Sequence, residues 1–377
     1  MNNPNPSAAQ VIFLSGDHYQ MGQQHGQQVA WLRRYIIEAI EARLAQIERD
    51  NPDAAFEVLV EETRQVLRTA DPATIDFIRG QADSLELEFD WLLHYNLVNF
   101  LRDALTTRRP SEANGGSIGE CTTWAASGPA TADGLPLLVK NRDYHLEHLP
   151  LQVVARAEPR HGFRYIYVTS AGNPGVFVTG LNEAGLAIAD THVPCPDVGP
   201  GLPTFALSMH ILEEHRTVAS ALNYLQLMPR LGRNNLILAD AEGQMAVFEN
   251  AHSRSSVLEA ENSFMLATNH FNSLALQDCF VDTEPPSLRG NTFHRYQTVK
   301  EALITTLGQV DLDFAKQLMA SHAGPLASIC RHPIPEANSS TISTIILLPV
   351  QRQIHFCHGQ PCQAEYRVFD FSTPAQA

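Results

Sequence analysis

The feature that most constrains the fold is a change of hydrophobic period close to Cys121. Before this residue, apolar side chains recur at helical spacing, and they predict helices over residues 20–50, 56–67, 72–85 and 91–105. A polar, glycine-containing stretch follows at residues 107–120, and it is typical of a linker. We therefore predict an α-helical N-terminal segment, residues 1–120, and a second region at residues 121–377.

The second region carries short strand-like runs joined by turn residues, and helical periodicity returns in three places. We predict strands at residues 122–126, 137–141, 153–157, 165–169, 175–181, 186–189, 235–238, 245–249, 341–348 and 353–357. We predict helices at residues 205–227, 292–307 and 312–322. Strand-helix-strand alternation is rare, so the pattern favours sheets covered by helices, a layered α/β sandwich, over a doubly wound parallel sheet.

Composition narrows the classes of function. The 377 residues are 44% hydrophobic and 18% charged, which predicts a globular protein with a substantial core. The formal charge of -15, without a basic block, disfavours a nucleic acid partner. No apolar run approaches the roughly 18 residues that span a bilayer, and no secretory signal is apparent, so we expect a cytoplasmic protein without a membrane partner. The six cysteines are irregularly spaced, and we expect them to be mostly reduced thiols.

Cys121 lies where the linker ends and the first strand-like run begins. If the Glu120-Cys121 bond is cut, one residue carries both a thiol nucleophile and an α-amine that can act as its base. The reference pKa of an α-amine is about 7.7–8.0 and that of a cysteine thiol about 8.5, which is close enough for a proton to pass between them. A hairpin would bring Asp143 next to Cys121, where its carboxylate could orient the amine. By residue type alone, Cys121 also fits a buried structural cysteine.

Several motifs follow one another along the chain together with Cys121-Thr122-Thr123. They are the segments at residues 16–26, 141–144, 235–240, 268–271, 287–289 and 341–361, with Glu249 between them. In this order they resemble the acyl-coenzyme A:6-aminopenicillanic acid acyltransferase family of N-terminal-nucleophile hydrolases, and more distantly the choloylglycine hydrolases and penicillin V acylases. The resemblance implies an α+β fold, a four-layer αββα sandwich preceded by the helical segment.

The resemblance also implies a role for each matching residue. Cys121 would be the autocatalytically exposed nucleophile, and Asp143 the partner of its amine or thiol. Asn269 would donate to the tetrahedral oxyanion, which an asparagine amide can do. Arg289 would organise these groups from behind, because a guanidinium holds carboxylates in a fixed fork. Each residue type also has a structural interpretation, Asn269 as a turn former, Arg289 as a solvated cation and Asp143 as a surface carboxylate.

Neighbouring residues in the motifs are expected to support the site. They are Lys140, Asn141, Arg142, Asn235 and His270. Arg142 stands where the acyltransferases often carry an aromatic residue, and Lys140 where bile-acid hydrolases carry an arginine, so the charge of the pocket is expected to differ. Glu120 stands where the fungal acyltransferase has glycine, and its bulk and charge would slow self-cleavage.

The chain is therefore expected to be an autoprocessing cysteine N-terminal-nucleophile enzyme. It would hydrolyse a linear amide, or transfer its acyl group, through a Cys121 thioester and without a cofactor. Its partners would be a small-molecule amide or an acyl donor, with an acyl-coenzyme A among the candidates, and the two self-cleaved chains would stay associated. The acyl group, the choice between hydrolysis and transfer, and a homo-oligomeric state stay open.

Two alternative functions also stay open. In the first, Cys121 is the nucleophile of an uncleaved Cys/His hydrolase whose base is a histidine such as His270. In the second, the chain is a non-catalytic or unprocessed relative with the same fold that serves as a binding protein.

No metal site is predicted. His210 and His215 are five residues apart on a predicted helix, about 140° around its axis, whereas the zinc protease motif needs a spacing of four. A second group of metal-ligating types is His355, Cys357, His358 and Cys362. Strand alternation would place His355 and Cys357 on one face and His358 on the other.

Overall fold

A computed structural model describes residues 10–107, 121–260, 262–333 and 339–372. The helices are α1 (His18–Gln28), α2 (Arg33–Arg49), α3 (Ala54–Ala70), α4 (Pro72–Leu85), α5 (Phe89–Leu101), α6 (Asp103–Thr106), α7 (Thr204–Glu214), α8 (Val218–Leu227), α9 (Asn291–Thr305) and α10 (Leu312–Met319). The strands are β1 (Gln10–Gly16), β2 (Cys121–Ala126), β3 (Leu137–His145), β4 (Gln152–Pro159), β5 (Tyr165–Ser170), β6 (Thr179–Asn182), β7 (Ala187–His192), β8 (Asn234–Ala239), β9 (Met245–Asn250), β10 (Ser255–Glu259), β11 (Phe264–Ala267), β12 (Ser339–Leu348), β13 (Gln353–His358) and β14 (Tyr366–Asp370). Glu120 and the predicted linker beyond Thr107 lie outside the described residues.

The described strands form two sheets. The first sheet has the order β1-β4-β5-β6-β7-β8-β9-β10, and the second has the order β11-β2-β3-β12-β13-β14. Neighbouring strands are antiparallel, except that β1 pairs in parallel with β4. In the second sheet β2 therefore lies between β11 and β3. Its first residue, Cys121, pairs with Arg142 of β3, whereas β11 ends opposite Thr123.

Period-2 alternation along the strands divides the apolar side chains among three interfaces. In β3, Leu138 faces the first sheet, whereas Val139 packs with α9 and α10. In β4, Val154 faces the second sheet, whereas Val153 packs with the helices α1–α8. The layers are therefore helix, sheet, sheet, helix, which confirms the predicted αββα sandwich.

The helix ends follow local sequence signals where those signals are present. Asp53 caps α3 by accepting a hydrogen bond from the N–H of Phe56, and Pro72 begins α4. The predicted helix at residues 20–50 is wrong in its continuity, because a 3₁₀ turn at Ala30–Leu32 separates α1 from α2. The predicted helix at residues 205–227 is also interrupted, since Thr217 caps a new helix, α8.

The helical segment shares a sheet and a core with the rest of the chain. Its strand β1, which the sequence analysis did not predict, lies at the edge of the first sheet beside β4. Helices α1 and α4 cross closely at Gly22 and Gly80. The division at residue 120 stays a prediction, and the structure joins the two parts through one hydrophobic core.

Among the helices in the described part of the chain, none is long and apolar enough to cross a lipid bilayer.

Candidate active site around Cys121

Cys121 is buried at the start of β2. The β2–β3 register puts it opposite Arg142, next to Asp143. Burial raises the pKa of the Cys121 thiol, whereas the charge of Lys140 and a backbone hydrogen bond from Asp143 act in the opposite direction. A thiol in this environment needs a nearby base in order to become a nucleophilic thiolate.

Asn269 comes two residues after β11, the strand that pairs with β2 on its other side. Its side-chain Oδ1 accepts a hydrogen bond from the backbone N–H of Cys121 at 3.1 Å. Its Nδ2 donates to the backbone carbonyl of His192 at 2.8 Å, and its backbone N–H donates to the hydroxyl of Thr292 at 2.8 Å. The structure therefore brings the asparagine amide directly to the Cys121 backbone.

Arg295 joins these groups, and the sequence analysis missed it. Its Nη1 donates to the carbonyl oxygen of Cys121 and to the hydroxyl of Thr122, each at 2.8 Å. Its Nη2 donates to Oδ1 of Asn269 at 2.7 Å. Arg289, the arginine chosen from the sequence, is exposed in the turn before α9, and the structure does not bring it to Cys121.

A signal for Arg295 was present in the sequence. Arg295, Val299 and Leu303 recur at a spacing of four and lie on the buried face of α9. A charged residue in line with apolar residues on a buried helix face needs a polar partner, and here the partners come from β2 and from Asn269.

Asp143 lies in β3 and is buried. Its Oδ1 accepts a hydrogen bond of 2.6 Å from the hydroxyl of Thr341, which is its register partner in β12. Its Oδ2 makes no hydrogen bond to any residue that the structure describes. Burial raises the pKa of Asp143 to about 7, although the charge of Arg295 and the Thr341 hydroxyl favour the carboxylate. The carboxyl group can therefore gain or lose a proton near neutral pH.

Cys121 lines a small cavity of about 70 Å³ between the helical segment and the two sheets. The other lining residues are Asn99, Phe100, Lys140, Arg142, Tyr144, Phe177, Val178, Asp190, His192 and Arg233. Asn99 and Phe100 belong to α5. The helical segment thus contributes one wall of the cavity that holds the thiol.

Two cations from β3 project into this cavity, and they have different partners. Lys140 forms an ion pair with Asp190 at 2.5 Å and donates to the carbonyl of Val178 at 3.1 Å. Arg142 donates from Nη2 to the hydroxyl of Ser170 at 3.0 Å, and its guanidinium carbon lies 4.9 Å from the centre of the Tyr144 ring. Its Nη1 is buried without a hydrogen bond, and within the described ranges no carboxylate pairs with it.

His192 lines the cavity, whereas His270 does not. Nε2 of His192 lies 2.7 Å from Oδ2 of Asp103, and its Nδ1 is buried without a hydrogen-bond partner among the described residues. Burial and the charge of Arg233 lower the pKa of His192, so the neutral imidazole is favoured. Sequence reasoning missed this histidine because its aspartate partner is distant in the chain.

His270 lies behind Asn269 instead. Its Nδ1 is 3.1 Å from the hydroxyl of Thr268 and 2.9 Å from that of Thr292. Burial, reinforced by the charge of Arg295, lowers the pKa of His270 to about 4.

Asn141 and Asn235 hold the backbone around the site and do not line the cavity. Asn141 Nδ2 donates to the carbonyls of Met319 at 3.0 Å and Ile329 at 2.9 Å. Asn235 Nδ2 donates to the carbonyl of Thr268 and to that of His270, each at 3.1 Å. These contacts fix the segments that flank β3 and carry Asn269.

Two of the histidines weighed as metal ligands, His210 and His358, have other partners. Nε2 of His210 bonds Asp71 at 2.9 Å and its Nδ1 bonds Glu214 at 3.0 Å. Nε2 of His358 lies 2.9 Å from the carbonyl of Leu149. The cavity around Cys121 contains no group of three potential metal ligands within the part of the chain that the structure describes.

Comparison with known proteins gives one family match. The family model described as acyl-coenzyme A:6-aminopenicillanic acid acyl-transferase matches residues 130–363, more than half of the chain, and begins just beyond Cys121. No curated protein sequence matches.

Among solved structures, the chain is similar to a variant of the conjugated bile acid hydrolase from Clostridium perfringens. The TM-score is 0.49 and the identity 13%, over 68% of this chain and 93% of that one. It is also similar to penicillin V acylase from Agrobacterium tumefaciens, with a TM-score of 0.41 and 16% identity, over 67% of this chain and 87% of that one.

Proposed function

Because this chain belongs to the acyl-coenzyme A:6-aminopenicillanic acid acyl-transferase family and is a hydrolase or N-acyltransferase, we propose that it acts on a linear amide through Cys121. The observation that carries the proposal is the setting of this cysteine. Its thiol faces a cavity, its backbone N–H contacts the side chain of Asn269, and Arg295 holds both residues.

Cleavage between Glu120 and Cys121 would turn the Cys121 backbone nitrogen into an α-amine. Oδ1 of Asn269 already accepts a hydrogen bond from this nitrogen at 3.1 Å, which would keep the amine in place beside the thiol. The amine then takes the thiol proton and leaves a thiolate. The carboxyl group of Asp143, one position beyond the register partner of Cys121, favours the protonated amine when it is ionised.

The reaction then proceeds in two halves. The thiolate attacks the amide carbonyl carbon, and the C=O π electrons move onto oxygen, where the Asn269 amide and a backbone N–H stabilise the charge. The α-ammonium gives its proton to the leaving nitrogen, the C–N bond breaks, and a thioester with Cys121 remains. Water or a second amine next attacks the thioester carbonyl carbon and gives a proton to the α-amine. The C–S bond then breaks, the acid or the new amide leaves, and the α-ammonium returns the proton to the Cys121 sulfur.

The charges in the cavity favour a substrate with an anionic group. Lys140 is neutralised by Asp190, and Arg233 has Asp103 at 3.4 Å. Arg142 has no such carboxylate partner among the described residues, and its buried Nη1 lacks a hydrogen bond. A carboxylate on the substrate would supply that bond and compensate the buried charge of Arg142.

A second candidate is an uncleaved Cys/His hydrolase, and His192 favours it more than His270 does. His192 lines the same cavity as Cys121, and Asp103 would orient its imidazole, as in a nucleophile-histidine-carboxylate triad. This mechanism needs no free α-amine.

Intact-protein mass spectrometry tests the choice. The proteins are wild type, Cys121→Ala, His192→Gln and the control Cys195→Ala, which removes a buried thiol outside the cavity. The first mechanism predicts two chains divided between residues 120 and 121 in all except Cys121→Ala. A single chain in every protein, with amidase activity lost in His192→Gln, would reject it in favour of the second candidate. A single chain without activity against any amide would support a non-catalytic binding protein.

A further inference from the structure

Four potential metal ligands meet outside the Cys121 cavity. They are His322, Cys330, His332 and Cys362, and one ligand atom of each lies within 4.8 Å of those of the other three. The Sγ atoms of Cys330 and Cys362 are 3.6 Å apart, and the Nε2 atoms of His322 and His332 are 3.0 Å apart. Nε2 of His332 is 3.9 Å from Sγ of Cys330 and 3.3 Å from that of Cys362.

The four measured distances are close to edges of a tetrahedron around zinc, and the two remaining pairs, from His322 to the two sulfurs, lie within 4.8 Å. With Zn–S of about 2.3 Å and Zn–N of about 2.0–2.1 Å, tetrahedral geometry requires about 3.8 Å between sulfurs, about 3.5 Å between sulfur and nitrogen, and about 3.3 Å between nitrogens. Each measured pair lies within about 0.4 Å of its ideal value. A set of two thiolates and two imidazoles selects zinc among the common divalent metals.

The fold brings the four residues together from separate positions. Three of them lie in a loop of residues 320–333, here called the cluster loop, which follows α10 and contains neither helix nor strand. Its two arms are joined where the N–H groups of Ile329 and Cys330 donate to the carbonyl of Ser321. The fourth ligand, Cys362, comes from the connection between β13 and β14.

We propose that His322, Cys330, His332 and Cys362 form a structural zinc site that fastens the cluster loop to the β13–β14 connection. Four protein ligands leave no open coordination position, which is typical of a structural rather than a catalytic zinc. The ion can enter from solvent, because His322 and Cys362 are exposed. None of the four ligands takes part in the reaction proposed above.

The cluster loop contacts the strands behind Cys121. Ile329 accepts a hydrogen bond from Asn141, and the N–H of Arg331 donates to the hydroxyl of Thr341, which in turn donates to Asp143. Zinc binding is therefore expected to stiffen the support of Asp143 without contacting the substrate.

Metal analysis of purified, reduced protein tests the proposal. Chelator-treated samples of wild type, Cys362→Ala and His322→Ala are titrated with Zn²⁺. These two ligands are exposed, so their removal leaves the core intact. Cys357→Ala and His294→Ala are the matched controls, since Cys357 neighbours the cluster without belonging to it and His294 is an exposed histidine elsewhere.

We expect one zinc ion per chain in the wild type and both controls, and an affinity lower by on the order of 100-fold in the two ligand variants. Cobalt in place of zinc should give the visible bands of a tetrahedral site and thiolate charge-transfer absorption, and both should be weaker in Cys362→Ala at the same cobalt concentration. Zinc should raise the Tm of the wild type and of both controls, and at the same Zn²⁺ concentration it should raise the Tm of the two ligand variants less.

Several results would overturn the proposal. They are failure of the wild type to retain stoichiometric zinc, equal affinity in Cys362→Ala and wild type, and a Cys330–Cys362 disulfide that persists in protein exposed to zinc under reducing conditions.

Discussion

Asn269 connects the nucleophile to two neighbouring elements, β7 and α9, through one side chain and one backbone N–H. Its Oδ1 contacts Cys121 and Arg295, and its Nδ2 contacts the carbonyl of His192. An amide held at both ends is preorganised, so it can respond to a developing oxyanion without a large reorganisation cost.

We expect Asn269→Ala to lower kcat by about 10²–10³ while most of the stability is kept, as for other single oxyanion donors. Asn272→Ala is the control, because Asn272 follows closely in the same loop and is tied to Glu249 through its backbone N–H. Steady-state kinetics of both variants measure this change in kcat. An Asn269→Ala enzyme with wild-type kcat would remove this residue from the mechanism.

Arg295 is expected to be a positioning residue. Its Nη1 and Nη2 bridge the carbonyl of Cys121 and the side chain of Asn269, and the single ammonium group of Arg295→Lys cannot reproduce that fork. We expect kcat of Arg295→Lys to fall by at least about 10-fold, with KM changed less. Arg289→Lys should behave like wild type, and a loss confined to Arg289→Lys would instead favour the arginine chosen from the sequence.

The raised pKa of Asp143 predicts that the stability of the protein depends on pH. Its pKa rises from about 3.9 in the unfolded chain to about 7 in the folded protein, so the folded state holds the proton more tightly. The resulting stabilisation is full below about pH 4, falls as the pH rises towards 7, and is lost above it. At about 1.4 kcal/mol per pKa unit, the whole effect is of the order of 4 kcal/mol.

Asp143→Asn should therefore reduce the loss of stability that occurs as the pH rises. We expect the free energy of unfolding of the variant, measured in urea, to change less between pH 5 and pH 8 than that of wild type. The control is Asp133→Asn, which changes an exposed turn carboxylate. Parallel curves for Asp143→Asn and wild type would show that the carboxyl group ionises normally in the folded protein.

Sequence reasoning could place Asp143 near Cys121, because a hairpin is a local signal, whereas Asn269 was chosen only through the resemblance to a known family. It chose Arg289 from the motif order and overlooked the helical spacing that marks Arg295 on the buried face of α9, because the partners of Arg295 come from β2 and Asn269. It also could not pair His192 with Asp103, because 89 positions separate them in the chain. Contacts of this kind follow from tertiary packing alone.

At the scale of secondary structure, the crossing of α1 and α4 depends on two glycines. A Cβ added at Gly80 would lie 2.1 Å from the carbonyl oxygen of Tyr19, and one at Gly22 would lie 2.0 Å from that of Phe77. Both clashes are with backbone, so the helices would have to move apart.

We expect Gly80→Ala to lower the free energy of unfolding by about 1–3 kcal/mol, the usual cost of overpacking, although alanine has the higher helix propensity. Arg79→Ala, at the neighbouring exposed position of α4, should change it by less than about 1 kcal/mol. Chemical denaturation measures both. A Gly80→Ala protein as stable as wild type would mean that α1 and α4 can move apart without a loss of stability.

Three of the four strands that the sequence analysis did not predict have a weak local signal, and the exception is the apolar strand β1. Two of them, β10 and β14, are edge strands whose residues are largely half-buried or exposed, so apolar alternation is faint. A third, β11, has only four residues. The continuous helix predicted at residues 20–50 failed for the opposite reason, since apolar periodicity continues through the 3₁₀ turn.

For the whole molecule, the helical segment and the second region are expected to remain together after cleavage. They share the first sheet through β1 and β4 and one core beneath helices α1–α8. We expect the two chains to co-elute in size-exclusion chromatography and to separate only in denaturant. Residues 121–377 expressed alone should be insoluble, and a soluble, active fragment would contradict this expectation.

The pairing of β1 with β4 also has a consequence for synthesis on the ribosome. Gln10 meets Val153, about 140 positions later in the chain. At roughly 5–20 residues per second, the apolar strand β1 emerges roughly 7–30 s before its partner exists. During that interval its hydrogen-bonding edge is open to any other nascent chain, so the speed of elongation between the two strands should govern how much polypeptide aggregates before it folds.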